Sequence, residues 1–399
     1  MAFWQDYKWV ILFYSAIVLL IIIFRKKFVI QSRIIAMYKT RIGLSLMDRW
    51  GEKYREQIKL LGVVGIGIGY VGLFAILYFL LKNLFQLLTV PKATSAVSLV
   101  IPGVKIPGSP IMIPLITGWI ALFLVILVHE FSHGVVARAH KVKVMSSGVF
   151  FLGPLMGAFV EPDEKVVHKS SDITQYSIYA AGPFSNILLA LCCILLLTYA
   201  FAPLNGMLVN EMGVELAGVT EDYPADDVGL GEGMVVTNIN GVDVVNYEQF
   251  ANEVRRIRAN DSVTIVADNK EYKFLAATHP QDPSQGYLGV LAKNKPKVEP
   301  KNDALWFRIL YRIILWIAEL LSITGLLSFG IGLANLLPLG PVDGGRMVLT
   351  SLTKIKGKEK GLAWWKKLSI LTLLLLAINL FWPALKWIGS LLGAIVGLI

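Results

Sequence analysis

The chain has 399 residues, 55% of them apolar and 17% charged, with a formal net charge of +10 and a mean hydropathy of +0.62. Apolar residues make up roughly 45–50% of an ordinary soluble domain, so these values exclude that class and indicate an integral membrane protein. The surplus of positive charge sits in particular loops between apolar runs, which fits membrane topology and argues against a nucleic-acid partner.

Runs near the ~20 residues needed to cross a bilayer predict about six spans, at 8–24, 61–81, 113–137, 175–201, 317–340 and 368–386. The first lacks a basic leader and a small-residue cleavage site, so it is expected to be retained. Arg25, Lys26 and Lys27 open a basic segment continuing through Lys59, which the positive-inside rule places in the cytoplasm. Alternation then puts residues 82–112 outside, Arg138, Lys141 and Lys143 inside, residues 209–300 outside, and the cluster from Arg346 through Lys367 inside. All three basic clusters fall on one side. Cys192 and Cys193 are adjacent in an apolar run, where neighbours rarely meet disulfide geometry; small core residues are expected there.

The expected fold is therefore a polytopic α-helical membrane protein with an inserted domain. Its parts are an N-terminal helix and basic loop (1–60), a first half of a transmembrane core (61–208), an extracytoplasmic domain (209–300), and a second half of the core with C-terminal helices (301–399). Within the first half, "VMSSGVFFLGPLMGAFV" (144–160) is apolar but broken by Gly148, Gly153, Pro154 and Gly157. That pattern predicts a hairpin with a Gly-Pro turn, re-entrant at membrane depth beside a polar cavity that satisfies its backbone. Residues 304–315, with Arg308 and Arg312 on one helical face, are expected to lie along the interface. Between 212 and 293 come a glycine turn, a strand, an Asn240–Gly241 hairpin turn, an amphipathic helix over Tyr247–Arg258 and two more strands. This order resembles a PDZ domain, which implies strand-addition binding of a peptide ligand. "GYLGV", Gly286 to Val290, is the candidate carboxylate loop.

The chemistry is concentrated in "LVILVHEFSHGVVARAH", Leu124 to His140. His129 and His133 stand four residues apart on a helix, so both imidazoles can reach one tetrahedral Zn²⁺, and Glu130 lies beside them as general base. Ionisable groups inside a span are costly and therefore functional candidates. Hydrolytic zinc needs a third protein ligand and an open position. His140 falls in a basic turn, and His168 and His279 fall in polar loops. The better candidate is Asp343 in "NLLPLGPVDGGR", at the cytoplasmic end of a later span where prolines and glycines break the helix.

HEFSH in a span, "AGPFSN" (Ala181 to Asn186), "NLLPLGPVDGGR" and a PDZ-like insertion together resemble the site-2 protease family of intramembrane zinc metalloproteases, over residues from about 110 to 350. The resemblance implies His129, His133 and Asp343 as ligands of one zinc per chain, Glu130 as base, and Asn335 near the metal, holding substrate backbone or oxyanion. It also implies that 144–160 matches the family's re-entrant β segment. A valine precedes Asp343 where the family commonly has leucine. The expected activity is hydrolysis of peptide bonds within or near transmembrane segments of membrane-protein substrates, in regulated intramembrane proteolysis. The alternative is a catalytically silent membrane zinc-binding or peptide-binding protein.

Overall fold

The computed structural model describes residues 2–31, 35–90, 93, 95, 97–106, 112–280 and 282–396. The chain opens with helix α1 (Ala2–Ile23), strands β1 (Val29–Gln31) and β2 (Ile35–Thr40), and helices α2 (Leu44–Lys53), α3 (Arg55–Thr89) and α4 (Leu115–Ala139). Strands β3 (Val144–Leu152) and β4 (Leu155–Pro162) follow, then α5 (Glu164–Lys169), α6 (Asp172–Leu196) and α7 (Ala202–Leu208). A β-rich segment holds β5 (Val209–Val219), α8 (Pro224–Asp227), β6 (Val235–Ile239), β7 (Val242–Asp243), α9 (Tyr247–Arg256) and β8 (Ser262–Ala267). It continues with β9 (Lys270–Leu275), β10 (Ala277–Thr278), β11 (Gly286–Tyr287) and β12 (Val290–Pro300). The chain returns to helix in α10 (Leu305–Asn335), α11 (Asp343–Lys356) and α12 (Lys358–Val396). Two compact units result: Met1–Leu197 with Ile317–Ile399, and Thr198–Trp316.

Helices at Arg55–Thr89, Leu115–Ala139, Asp172–Leu208, Leu305–Asn335 and Lys358–Lys386 are five that are long and apolar enough to cross a membrane. The apolar stretch of α1, Tyr7–Ile23, is shorter. These helices turn large apolar side chains outward, among them Val71 (71% exposed) and Phe74 (67%), a surface suited to lipid. They pack through small residues, as expected where no hydrophobic effect drives helices together. Along α3, Gly62, Gly65 and Gly69 admit Ser177, Phe184 and Ala180 of α6, and Gly72 admits Leu336.

The 144–160 hairpin is present. Gly153 takes φ +59° at its turn, and β3 and β4 pair antiparallel from Val144↔Pro162 to Leu152↔Leu155. The order of the sheet is β1-β2-β3-β4, so β4 is an edge. At Gly148 an added Cβ would strike the Tyr38 carbonyl, which is why the strand carries glycine where β2 crosses it. Asp163 then caps α5, its side chain accepting from the backbone N–H groups of Lys165 and Val166, and Ser171 caps α6 through Thr174 N–H.

Two expectations are corrected. Residues 25–60 are expected as a basic loop, but the described residues among them form β1, β2, α2 and the start of α3. The partner of β2 is β3, over a hundred residues later (Ile35↔Leu152 to Thr40↔Ser147), and nothing local signals such a pairing. Residues 304–315 form no separate interfacial helix: no Gly or Pro falls between Leu305 and Thr324, and the helix runs on unbroken to Asn335. Two ion pairs tie basic residues to the helices of this unit. Arg138 pairs with Asp48 at 2.6 Å, and Lys354 pairs with Asp172 at 3.0 Å. Arg33 and Lys92 lie outside the described residues.

The second unit has a sheet ordered β12-β5-β6-β8-β9, with β7 paired to β6 and a separate β10–β11 pair. The Asn240–Gly241 turn takes φ +51° and +83°, the positive pair a tight hairpin needs. Asn246 caps α9 by accepting from Gln249 N–H, and Phe250 of that helix enters a core that includes Val214, Leu216, Val236, Ile239 and Ile265.

Candidate metal centre

Helix α4 carries no charge before His129. Its two histidines, one turn apart, point toward α6, whereas Glu130 is rotated by about 100° toward the hairpin. The surface that α6 presents is a stripe four residues in pitch: Ile178, Gly182 and Asn186. Gly182 is the contact point, since a Cβ there would overlap Nε2 of both histidines. On either side α6 supplies a partner for the remaining ring nitrogens. His133 Nδ1 donates to the Ile178 carbonyl at 2.7 Å, and the Asn186 side-chain amide lies 3.1 Å from His129 Nδ1.

Asp343 arrives as the first residue of α11, where the helix N-terminus favours a carboxylate. The preceding loop folds tightly back on the helix. A Cβ at Gly344 would strike the Leu336 backbone, and one at Gly345 the Leu339 carbonyl. Trp365 Nε1 also donates to the Gly345 carbonyl at 2.8 Å. These contacts explain the Gly-Gly after Asp343 as a packing requirement.

The outcome is a close group of three donor atoms able to hold a metal, with both histidines buried and Asp343 partly so. Asp343 Oδ2 lies 3.1 Å from His129 Nε2 and 3.3 Å from His133 Nε2, and the two Nε2 atoms are 3.3 Å apart. Tetrahedral zinc with bonds of about 2.0–2.1 Å would set its ligand atoms roughly 3.3–3.4 Å from one another. The donor set also has the chemistry of a hydrolytic zinc site, two imidazoles and a carboxylate with a fourth position left over. His140 is not in the group; its Nδ1 is 3.3 Å from Thr174 Oγ1. His168 and His279 are also outside it.

Glu130 adjoins this group. Its Oε2 accepts from the backbone N–H of Val160, on the edge strand β4, at 3.0 Å. A cavity of about 260 Å³ opens over His129, Glu130, His133 and Asp343, and Asn335 lines it as well. That volume holds several waters at roughly 30 Å³ each. Arg346 and Glu164 stand at its rim, 3.3 Å apart, with the Arg346 guanidinium 5.7 Å from the centre of the Tyr179 ring. Outside the helices, the hairpin is fastened to β2 through Lys39, 2.8 Å from Glu161. That hydrogen bond, joined by one from Ser146, holds the Glu161 carboxyl below the usual carboxylate range.

The sequence singled out His129, Glu130, His133, Asn335 and Asp343, and the structure brings all five to one cavity. It did not single out Gly182, the Ile178 carbonyl or the Val160 N–H. The first two share a pitch of four residues with Asn186 on one helix, a signal present in the sequence. The Val160 contact depends on tertiary placement alone.

Comparison with known proteins agrees with this geometry. The family model described as Peptidase family M50 matches residues 117–376, well over half of the chain. A Methanocaldococcus jannaschii protein named "Uncharacterized protein MJ0971" is 30% identical over 319 residues, covering 78% of this chain and 76% of its own. Two proteins named "Zinc metalloprotease RasP" are more distant. The one from Oceanobacillus iheyensis is 23% identical over 248 residues, covering 50% of this chain and 57% of its own. The one from Shouchella clausii is 24% identical over 220 residues, 45% of this chain and 50% of its own. The chain thus spans about half the length of these two relatives. With helices long enough to span a bilayer and a donor set fitted to zinc, the chain belongs to peptidase family M50, the site-2 protease family, and is a membrane zinc metalloendopeptidase.

Proposed function

We propose that this protein cuts peptide bonds within or near the transmembrane segments of other membrane proteins, as a step of regulated intramembrane proteolysis. The observation that carries the proposal is the junction of Glu130 with the donor group on one side and the edge strand β4 on the other. A transmembrane helix hides its carbonyls in its own hydrogen bonds, so a substrate must unwind before it is cut. An unwound stretch has to satisfy its backbone elsewhere, and β4 offers an edge for strand addition.

His129, His133 and Asp343 would hold the zinc, which when bound supplies a Lewis acid that polarises the scissile carbonyl and acidifies water. Glu130 takes the proton from the attacking water and passes it to the departing amine. The Val160 N–H keeps that carboxylate aimed between the strand and the donor group. Asn335 orients the substrate backbone across the cavity. Walls built from spanning helices keep bulk water out, and Arg346 and Glu164 provide a polar mouth.

The three basic clusters are proposed to face the cytoplasm under the positive-inside rule, with residues 209–300 extracytoplasmic by counting spans along the sequence. The second unit is proposed to be a PDZ-like domain that binds an extended peptide and governs which substrates gain access. Purified protein should cut a single-span substrate, lose that activity to a chelator and recover it with zinc. Undiminished cutting by zinc-free protein would contradict the proposal.

A further inference from the structure

The side chain of Asn186 is fully buried in helix α6 at the far side of His129 from Asp343. Its surroundings hold it in place. Ser328 Oγ of α10, itself fully buried, donates to the Asn186 backbone carbonyl at 2.8 Å. Gly332, one turn further on, leaves room for the Asn186 Cβ, since a Cβ there would come within 3.1 Å of it. Burying an amide this completely in a spanning helix is costly unless its hydrogen bonds have a purpose.

The orientation of the amide is informative. As placed, Nδ2 faces His129 Nδ1, and Oδ1 is buried with no partner. An imidazole that offers the Nε2 lone pair to a cation carries its proton on Nδ1, so the group facing Nδ1 must accept. Amide oxygen and nitrogen are assigned from the network around them. Turning the amide sets Oδ1 against Nδ1–H and removes the opposition of two donors.

We propose that Asn186 is a positioning residue for the metal centre: its side-chain oxygen accepts from His129 Nδ1–H, fixing the tautomer and ring plane that present Nε2 to zinc. The Ile178 carbonyl does the same for His133. One face of α6 thereby orients both histidines around the gap at Gly182. Ser328 ties that face to α10, the helix that leads into the Asp343 loop. This inference rests on the zinc assignment of His129, His133 and Asp343.

The test is zinc affinity of the purified full-length protein, measured by competition with a chromophoric chelator, for wild type and for Asn186→Ala, Asn186→Asp and Asn186→Leu. Outer partners of this kind are worth about 10–100-fold in metal affinity. Asn186→Ala and Asn186→Leu should fall by that factor, while Asn186→Asp, which keeps an acceptor, should stay within a few-fold of wild type. Cobalt(II) spectra should show an altered ligand field for the first two variants and a wild-type one for Asn186→Asp. Equal affinity in all four proteins would overturn the inference and leave the metal assignment standing. So would an equal loss in all three variants, because packing alone would then explain it. A wild-type protein that binds no zinc would overturn the metal assignment, and this inference with it.

Discussion

The two units of this protein are built inside out with respect to each other. Among the described residues, every buried polar or charged side chain lies in the first unit, including His129, His133, Asn186, Thr324, Ser328 and Asn379. The second unit buries aliphatic and aromatic side chains such as Leu216, Ile239 and Phe250 and leaves its charges at the surface. Lipid accepts the apolar exterior of the first unit and offers nothing to its polar groups, which must find partners within. The second unit obeys the ordinary rule of a domain in water. A reaction that consumes water in an apolar setting needs an enclosed polar site, and the first unit has one. What the second unit has to offer is its surface.

That contrast can be broken by substitution, and the largest effect is expected at Glu130. Glu130→Gln should lower cleavage by about 10²–10⁴-fold, the usual worth of a general base, while zinc content by elemental analysis stays at wild-type level. Loss of both together would make Glu130 a ligand. Asp343→Ala reduces three protein ligands to two, so zinc affinity and cleavage should fall in parallel, by more than the ~10–100-fold of an outer partner. Wild-type cleavage by that variant would place the third ligand elsewhere.

Gly182→Ala comes next. Overpacking a tight contact costs about 1–3 kcal/mol, and here the added methyl meets both ring nitrogens. Zinc affinity and zinc-free unfolding temperature should both drop; if neither changes, α6 sits farther from the histidines than described. Replacing residues 213–292 by a short linker tests the other side of the contrast. Cleavage of a short single-span substrate should persist, and discrimination against substrates with bulky outer domains should loosen. A shortened protein that folds, keeps zinc and cuts nothing would show that the second unit belongs to the catalytic machinery.

The smallest effect is expected at Glu161, whose side chain is 44% exposed. Its pKa is lowered in the folded protein, so its contribution to stability is present above the unfolded value and is lost as pH falls through the folded one. Exposed pairs contribute no more than about 1 kcal/mol. Glu161→Gln should therefore slightly weaken the hairpin at neutral pH and flatten its acid dependence, measured by hydrogen exchange of the β2–β4 amides. A large loss at neutral pH would contradict this.

The sequence disclosed the parts of the site that follow local rules. His129 and His133 are legible because four residues is one helical turn, and Asp343 because proline and glycine mark a helix break beside a carboxylate. The hairpin was legible from Gly153–Pro154 within an apolar run. What escaped depends on distant partners. Strand β2 has no meaning without β3, and Val160 owes its role to an amide pointing at a helix thirty residues earlier. Asn186 lay within a noted stretch, yet its partnership with His129 appears only when α4 and α6 are set side by side.

The central claim is that the buried site of the first unit cuts peptide bonds that lie in the membrane. Mass-spectrometric mapping of the bond cut in a single-span substrate, reconstituted in lipid with wild type and Glu130→Gln, tests it most directly. The account predicts zinc-dependent cutting within or at the edge of the span by wild type, and about 10²–10⁴-fold less product with Glu130→Gln. Cutting confined to the water-exposed flanks, or cutting that persists at wild-type rate in Glu130→Gln, would contradict it.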